Sequence, residues 1–415
     1  MKPWPPKNWN LKMLTLAAIY YSPALEHARA QISAAKAGIV TAGARPNPTI
    51  RLQPGVPSPY LFSLVFLFPI QTAGKRRIQV EQAKDLTREA RLGLAEAAWK
   101  VCRNVRNALF HYFLATQQLD LLRLEQRLQT RRVTLLEQRR TAGEISRPKV
   151  DNARLSLLKT SVAIEAAEGR VPEARAALAA AIGVPVAGLD GIKLSWSGFD
   201  HPPSAESFSP KLIQRDAVLN RLDVRRALAA YAASEAALQL EIAKQHPDFH
   251  LGPGYDFEEG NSFFTLGYSV TIPIFNRNQG PIAEAEARRK EAAAAFIATQ
   301  AKAIAESEEA LARYRASMHV LNGTEKALGQ LERVVVPNER RTVAAGQADR
   351  LALNAVLLQR PVLGQAWLAA LGRAQSALGA LEDAVERPLE SGDLTSLTSQ
   401  SPAKKGLAML EGAKR

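Results

Sequence analysis

The side chains able to do chemistry in this chain are few and scattered. Six histidines lie at His27, His111, His201, His246, His250 and His319, and the single thiol is Cys102. Only His246 and His250 fall close together. Four residues apart in a strand, they would share a face at about 13 Å, from a rise of about 3.3 Å per residue, which is too far for one metal ion. A single cysteine excludes an intrachain disulfide and a cysteine-based zinc site. Its apolar neighbours Val101 and Val105 suit a buried structural thiol. Glu306, Glu308 and Glu309 fit a solvated helix face, and Asp256, Glu258 and Glu259 fit a solvated loop. No Gly-rich phosphate loop, nucleophile elbow or zinc-ligand spacing occurs. No catalytic residue, cofactor or metal is therefore expected, and the chain reads as a non-enzyme.

Function must then reside in the elements themselves. The chain has 415 residues, 47% apolar and 23% charged, enough for two ordinary domains or one elongated assembly. Few aromatics and much alanine suit long helices more than a wide core. The net charge of +14 is spread along helical segments and interleaved with Glu, and its tightest cluster is the short Lys75-Arg76-Arg77. No recognition motif accompanies it, so nucleic acid is not an expected partner. Lys2, Lys7 and Lys12 precede a brief apolar run, Leu14 to Tyr21, with no clean cleavage site after it. No run of about 18 apolar residues exists, so no membrane-spanning helix is expected.

The chain repeats itself, and that sets its organisation. An Ala-rich stretch, Pro23 to about Arg45, ends in Pro46-Asn47-Pro48; a second, Leu222 to Gln245, ends in His246-Pro247-Asp248. Each leads into a short alternating segment, a turn and a longer apolar strand ending in Pro-Ile, at Pro69-Ile70 and Pro273-Ile274. Gly74 and Gly280 then open very long helices, which break near Gly143 and Gly346. The organisation expected is an atypical N-terminus (1–20), a first repeat (21–200, hairpin 48–70), a second repeat (201–385, hairpin 247–274) and a disordered tail (386–415).

The helices are long because nothing stops them. No proline lies between Pro69 and Pro148 or between Pro281 and Pro337. Val101, Val105, Leu109 and Phe113, then Leu121, Leu124 and Leu128, continue one apolar face. Some 60 to 65 residues at about 1.5 Å each span roughly 90–100 Å, which suits a coiled coil or a tube and no compact globule. The two breaks share a chemistry. In Thr141-Ala142-Gly143-Glu144-Ile145-Ser146, Gly143 suits a left-handed C′ position and Ser146 an N-cap, with Pro148 allowed in the first turn. Gly346 and Asp349 repeat that spacing. Both breaks read as helical hairpins.

The strands alternate. Phe264, Leu266, Tyr268, Val270, Ile272 and Ile274 are apolar, while Thr265, Gly267, Ser269 and Thr271 between them are small or polar. That split places an apolar face to lipid and a small polar face to a lumen. Phe249, Leu251 and Tyr255 alternate with Asp248, His250, Gly252 and Gly254, and Glu258 to Asn261 supplies a turn. In the first half Ile50 and Leu52 alternate with Thr49, Arg51 and Gln53, but Tyr60 to Phe68 is apolar on both faces. A soluble half-buried sheet would alternate too. Four strands cannot close a barrel alone, so the hairpins imply a barrel shared between protomers.

With these features the chain resembles the TolC-type outer-membrane factors, the outer membrane efflux protein family, over about residues 15–385. The resemblance rests on the duplication, the Pro-Ile strand ends, the tip phrase Thr141 to Ser146, and the junction Phe275-Asn276-Arg277-Asn278-Gln279-Gly280. It is nearest to the heavy-metal subgroup that works with resistance-nodulation-division pumps. It implies a mainly α fold with a small β part: long antiparallel helices forming a trimeric α-barrel, continued by four strands per chain of a shared twelve-stranded transmembrane β-barrel. The implied function is a passive exit duct, the outer-membrane channel of a tripartite efflux system, with metal ions among the candidate cargoes. The implied partners are two further copies, a periplasmic adaptor, an inner-membrane pump and outer-membrane lipid. Thr141, Gly143, Glu144, Ile145, Ser146, Gly346 and Asp349 would form the adaptor-docking tips. Phe264, Leu266, Tyr268, Val270 and Ile272 would face lipid, and Thr265, Ser269 and Thr271 the lumen. The chain departs from the family in lacking an evident secretory leader and in carrying Ala352 and Ala355 where many members have acidic residues. The alternative from a different class is a soluble helical scaffold or adaptor.

Overall fold

The computed structural model describes residues 8–55, 61–196 and 198–389. In chain order the first half holds β1 (Asn8–Trp9), α1 (Leu11–Tyr21), α2 (Pro23–Gly43), β2 (Thr49–Pro54), β3 (Leu61–Ile70), α3 (Lys75–Thr141) and α4 (Arg147–Ile182). Then come β4 (Lys193–Leu194), α5 (Pro210–Asn220), α6 (Leu222–Ala243), β5 (Phe249–Glu258), β6 (Asn261–Val270) and α7 (Gln279–Gln330). A π-turn (Leu331–Val335) leads into α8 (Val336–Ala344), followed by α9 (Arg350–Leu357) and α10 (Gln359–Val385). The fold is mainly helical, with one four-stranded antiparallel sheet and a small parallel pair, β1 with β4. Part of the expected first hairpin turn, residues 56–60, lies outside the described residues, as do 390–415 of the expected tail. Arg387 and Leu389 are held, by Asp216 at 3.0 Å and Glu382 at 2.9 Å.

α3 runs unbroken for 67 residues, about 100 Å at about 1.5 Å per residue. The second long helix does not. α7 gives way to the π-turn, and Pro337 sits in the first turn of α8 just beyond it. Proline has no N–H for the carbonyl four residues back, and a widened turn absorbs the mismatch. The helix expected to open at Gly280 starts at Gln279, and the left-handed residue before it is Asn278, φ 63°.

Two compact units result, and each draws on both halves of the chain. Among the described residues, one lies within 24–97 and 222–302 and the other within 8–23, 98–221 and 303–389. In the first, the sheet order is β2-β3-β5-β6, so the two hairpins join through β3 and β5. The β5–β6 turn places Glu259 (φ 47°) and Gly260 (φ 84°) in left-handed conformations, as a two-residue hairpin loop requires. The approaches to the strands are tied together by polar side chains. Lys75, almost fully buried, donates to the His246 carbonyl at 2.6 Å and to Asp248 Oδ1 at 2.7 Å. The Thr72 amide donates to the same carboxylate oxygen at 2.8 Å. Asn278 Nδ2 donates to the Glu241 carbonyl at 2.7 Å.

In the other unit α10 packs antiparallel along α3. An added Cβ at Gly364 would lie 2.8 Å from the Leu121 side chain, one at Gly372 3.4 Å from Leu114, and one at Gly379 3.0 Å from Arg106. Steps of eight and seven along one helix match steps of seven and eight along the other, a coiled-coil spacing, and glycine lets the backbones approach. Of the face expected on α3, Val105 and Leu109 are fully enclosed here and Val101 and Phe113 nearly so, while Leu121, Leu124 and Leu128 are half-buried. Phe110, Phe113, Trp196 and Phe199 cluster at ring separations of 5.2 to 6.1 Å. α4 returns along α3, bridged by Arg123–Glu168 at 2.9 Å and Arg154–Glu137 at 2.6 Å. Leu14 and Ala18 of α1 are buried in this unit, so residues 8–21 are built into the fold.

Candidate functional site

Two features could carry function, one in each unit. The first is the sheet. Its register stacks side chains of one chemistry into rows across all four strands. Leu52, Leu64, Tyr255 and Phe264 form one such row. Phe68, Leu251 and Tyr268 form another, and Ile70, Phe249 and Val270 a third. Cross-strand rings touch, Phe249 with Tyr268 at 5.5 Å and Tyr255 with Phe264 at 5.6 Å. Among the described residues nothing in the unit covers this face at its β6 end: Phe264 is 89% exposed, Leu266 72% and Tyr268 65%. Full burial of such side chains is worth about 1.5–3 kcal/mol each, so a contiguous face left bare implies an apolar neighbour.

The opposite face is mostly small or polar, with Val65, Leu67 and the exposed Phe263 as its apolar members. Its rows are Arg51, Val65, Gly254 and Thr265, then Gln53, Ser63, Asp256 and Phe263, then Pro69, His250 and Ser269. Thr265 Oγ1 donates to Asp256 Oδ2 at 3.0 Å. The apolar Val65 and Leu67, which made β3 read as apolar on both faces, lie over glycines. A Cβ on Gly252 would meet both at 3.2 Å, and one on Gly254 would lie 2.7 Å from Thr265 Oγ1. Thr265 and Ser269 thus share one face, and Phe264, Leu266, Tyr268 and Val270 the other. β6 ends at Val270, so Thr271 and the exposed Ile272 follow it outside the ladder.

The second feature is the pair of helical turns. Gly143 (φ 77°) closes α3 and Gly346 (φ 72°) closes α8, both left-handed, a conformation that side chains with a Cβ resist. Asp349 caps α9, accepting from the Ala352 amide at 2.6 Å. Ser146 holds the equivalent place before α4, but its hydroxyl makes no cap bond. The turns lie side by side. Arg139 pairs with Asp349 and approaches Glu144 at 3.6 Å. Leu351 of α9 and Ile145 pack on Val133, Leu136, Val150 and Ala153. Asn354 is buried and donates to the Leu128 carbonyl at 3.1 Å. The ionic link between the turns was not legible in the sequence, since a lone Arg139 gives no sign of a partner so far along the chain. Thr141, Glu144 and Ser146 are exposed and Ile145 is half-buried.

Among the described residues no three His, Cys, Asp or Glu side chains gather as metal ligands. Among them, too, no helix is long and apolar enough to cross a membrane.

The resemblance read from the tip and junction motifs is borne out by comparison with known proteins. Residues 17–184 match the family described as outer membrane efflux protein. The cobalt-zinc-cadmium resistance protein CzcC of Cupriavidus metallidurans is 24% identical over 280 residues, 66% of this chain and 66% of that protein, just under two thirds of its length. The outer-membrane channel OprN shares the fold with a TM-score of 0.73 at 19% identity, covering 90% of this chain and 89% of that one. The outer membrane protein VceC from Vibrio cholerae does so at 0.71 and 20% identity, covering 92% and 97%. CusC does so at 0.70 and 18% identity, covering 90% and 91%.

Proposed function

We propose that this chain is the outer-membrane channel of a tripartite efflux system, a passive exit duct extending into the periplasm. The observation that carries the reading is the sheet: four antiparallel strands, an exposed apolar face, an opposite face mostly of small and polar residues, and β2 and β6 each paired on one side alone among the described residues. Four strands are too few to close on themselves, and open edges demand partners. Three copies supply twelve strands and remove every edge. β3, β5 and β6, ten residues each, match the length a tilted membrane strand needs, and β2 is described for six.

In this reading Phe264, Leu266, Tyr268, Val270 and Ile272 meet lipid, and Thr265, Ser269 and Thr271 line the lumen. The long helices of three copies form an α-barrel. The turns at Thr141, Gly143, Glu144, Ile145, Ser146, Gly346 and Asp349 dock a periplasmic adaptor, which links the duct to an inner-membrane resistance-nodulation-division pump. The two halves, 21–200 and 201–385, are repeats of one unit. Divalent metal ions are the first cargo to try, because a relative is described as a cobalt-zinc-cadmium resistance protein.

The test is to recover the protein from an outer-membrane fraction and measure its mass in mild detergent. A trimer that needs detergent to stay in solution is the expected result. A water-soluble monomer, with no trimer on cross-linking, overturns the reading.

A further inference from the structure

The paired turns carry an excess of guanidinium. From Arg127 to Arg154 and from Glu332 to Arg360, 57 residues hold thirteen Lys and Arg against six Asp and Glu. That net +7 is half of the chain's +14, in about a seventh of its residues. Twelve of the thirteen are arginine, although 18 of the chain's 54 basic residues are lysine. The acids are mostly engaged: Glu137 by Arg154, Asp151 by Arg147, Glu332 by Arg360, and Glu144 and Asp349 by Arg139. Among the described residues Arg140, Lys149, Arg340, Arg341 and Arg350 are exposed and enter no ion pair.

Helix capping explains only part of this. Arg139, Arg140 and Arg341 lie in the last turns of α3 and α8, where the helix dipole favours cations. Arg147 and Lys149 open α4 and Arg350 opens α9, where the dipole opposes them. Positive charge is thus kept at both kinds of helix end.

We infer that the surface engaged by these turns is acidic: a protein partner whose docking face presents carboxylates. This rests on the reading of the turns as the adaptor-docking site. A planar guanidinium grips a carboxylate through two parallel hydrogen bonds, which a lysine cannot do. An anionic membrane is the weaker match, since neither segment contains an aromatic residue to anchor at a lipid interface.

The test uses the full chain in detergent and a fluorescent peptide of twelve glutamates as probe. Binding is expected to weaken about ten-fold from 50 to 300 mM salt, as exposed charges are screened. Arg140→Glu with Arg341→Glu should weaken it at least about ten-fold, and Arg140→Gln with Arg341→Gln by an intermediate amount. Arg170→Glu with Arg373→Glu, also exposed but outside both segments, should change it less than about two-fold. Equal losses in both reversed pairs would reduce the effect to net charge and overturn the inference. So would tip-dependent binding to phosphatidylglycerol vesicles without binding to the peptide. In cells, a photo-cross-linker at Gln347 separates the two levels. If it captures the adaptor equally in the parent and the reversed tip pair, docking stands and the acidic surface falls. If the parent captures no adaptor, the docking reading falls and takes this inference with it.

Discussion

Arg139 in the last turn of α3 and Asp349 at the N-cap of α9 form an ion pair across 210 residues of sequence. Each does local work as well. Arg139 sits where the helix dipole favours a cation, and Asp349 satisfies an amide that α9 leaves unpaired. The pair turns two separate hairpins into one surface.

Asp349→Ala should therefore loosen the second turn by about 1 kcal/mol, the usual worth of an N-cap, and Asp349→Asn by less, because the amide oxygen still caps. Hydrogen exchange at Ala352 reads the difference. The Asp349 carboxyl titrates below its ordinary range because the Ala352 amide donates to it, with partial burial opposing and Arg139 reinforcing. A depressed folded value stabilises above the unfolded value of about 3.9 and is lost as pH falls through the folded one. Exchange at Ala352 should rise only below about pH 4 in the parent, and show no such step in Asp349→Asn.

Lys75 and Asp248 predict an asymmetry. The Lys75 side chain is 8% exposed and that of Asp248 36%. Removing Asp248 leaves a buried ammonium with the His246 carbonyl but no counter-charge, whereas removing Lys75 leaves a carboxylate that water reaches. Asp248→Ala should cost about 2 kcal/mol, below the roughly 3–5 of a fully buried broken pair because solvent screens this one. Lys75→Met should cost less. Chemical denaturation of the detergent-solubilised protein measures both.

The sheet faces should label oppositely. In a Cys102→Ala background, Thr265→Cys and Ser269→Cys should react with a membrane-impermeant maleimide, and Phe264→Cys, Leu266→Cys and Tyr268→Cys should not. Equal labelling of the two sets in intact outer membranes would refute the lipid-facing assignment.

Cys102 itself should be sluggish. Burial pushes its thiol up despite a favourable backbone hydrogen bond, so little thiolate exists near neutral pH. Alkylation at pH 7.5 should be slow in the native protein and should accelerate sharply on unfolding.

Local pattern made much of this protein legible. The long helices followed from absent prolines and a 3.6-residue apolar period, and the faces of β6 from strict alternation. The left-handed turns followed from Gly143 and Gly346, because only a residue without a Cβ takes that backbone freely. Where local signals conflicted, the sequence misled in detail. Asn278 took the left-handed place before α7, held by its bond to Glu241, and Pro337 forced a π-turn into what read as one helix.

The sequence by itself determined the elements, because propensity, periodicity and turn chemistry act within a few residues of the chain. Tertiary structure alone decided which distant elements meet. It paired β3 with β5, as in Leu64 opposite Tyr255, and laid Val65 and Leu67 over the glycines of β5. It set the glycines of α10 against Leu121, Leu114 and Arg106, and brought Asp349 to Arg139. Those choices depend on shape and charge fitting across more than a hundred residues, and no window of sequence contains both partners.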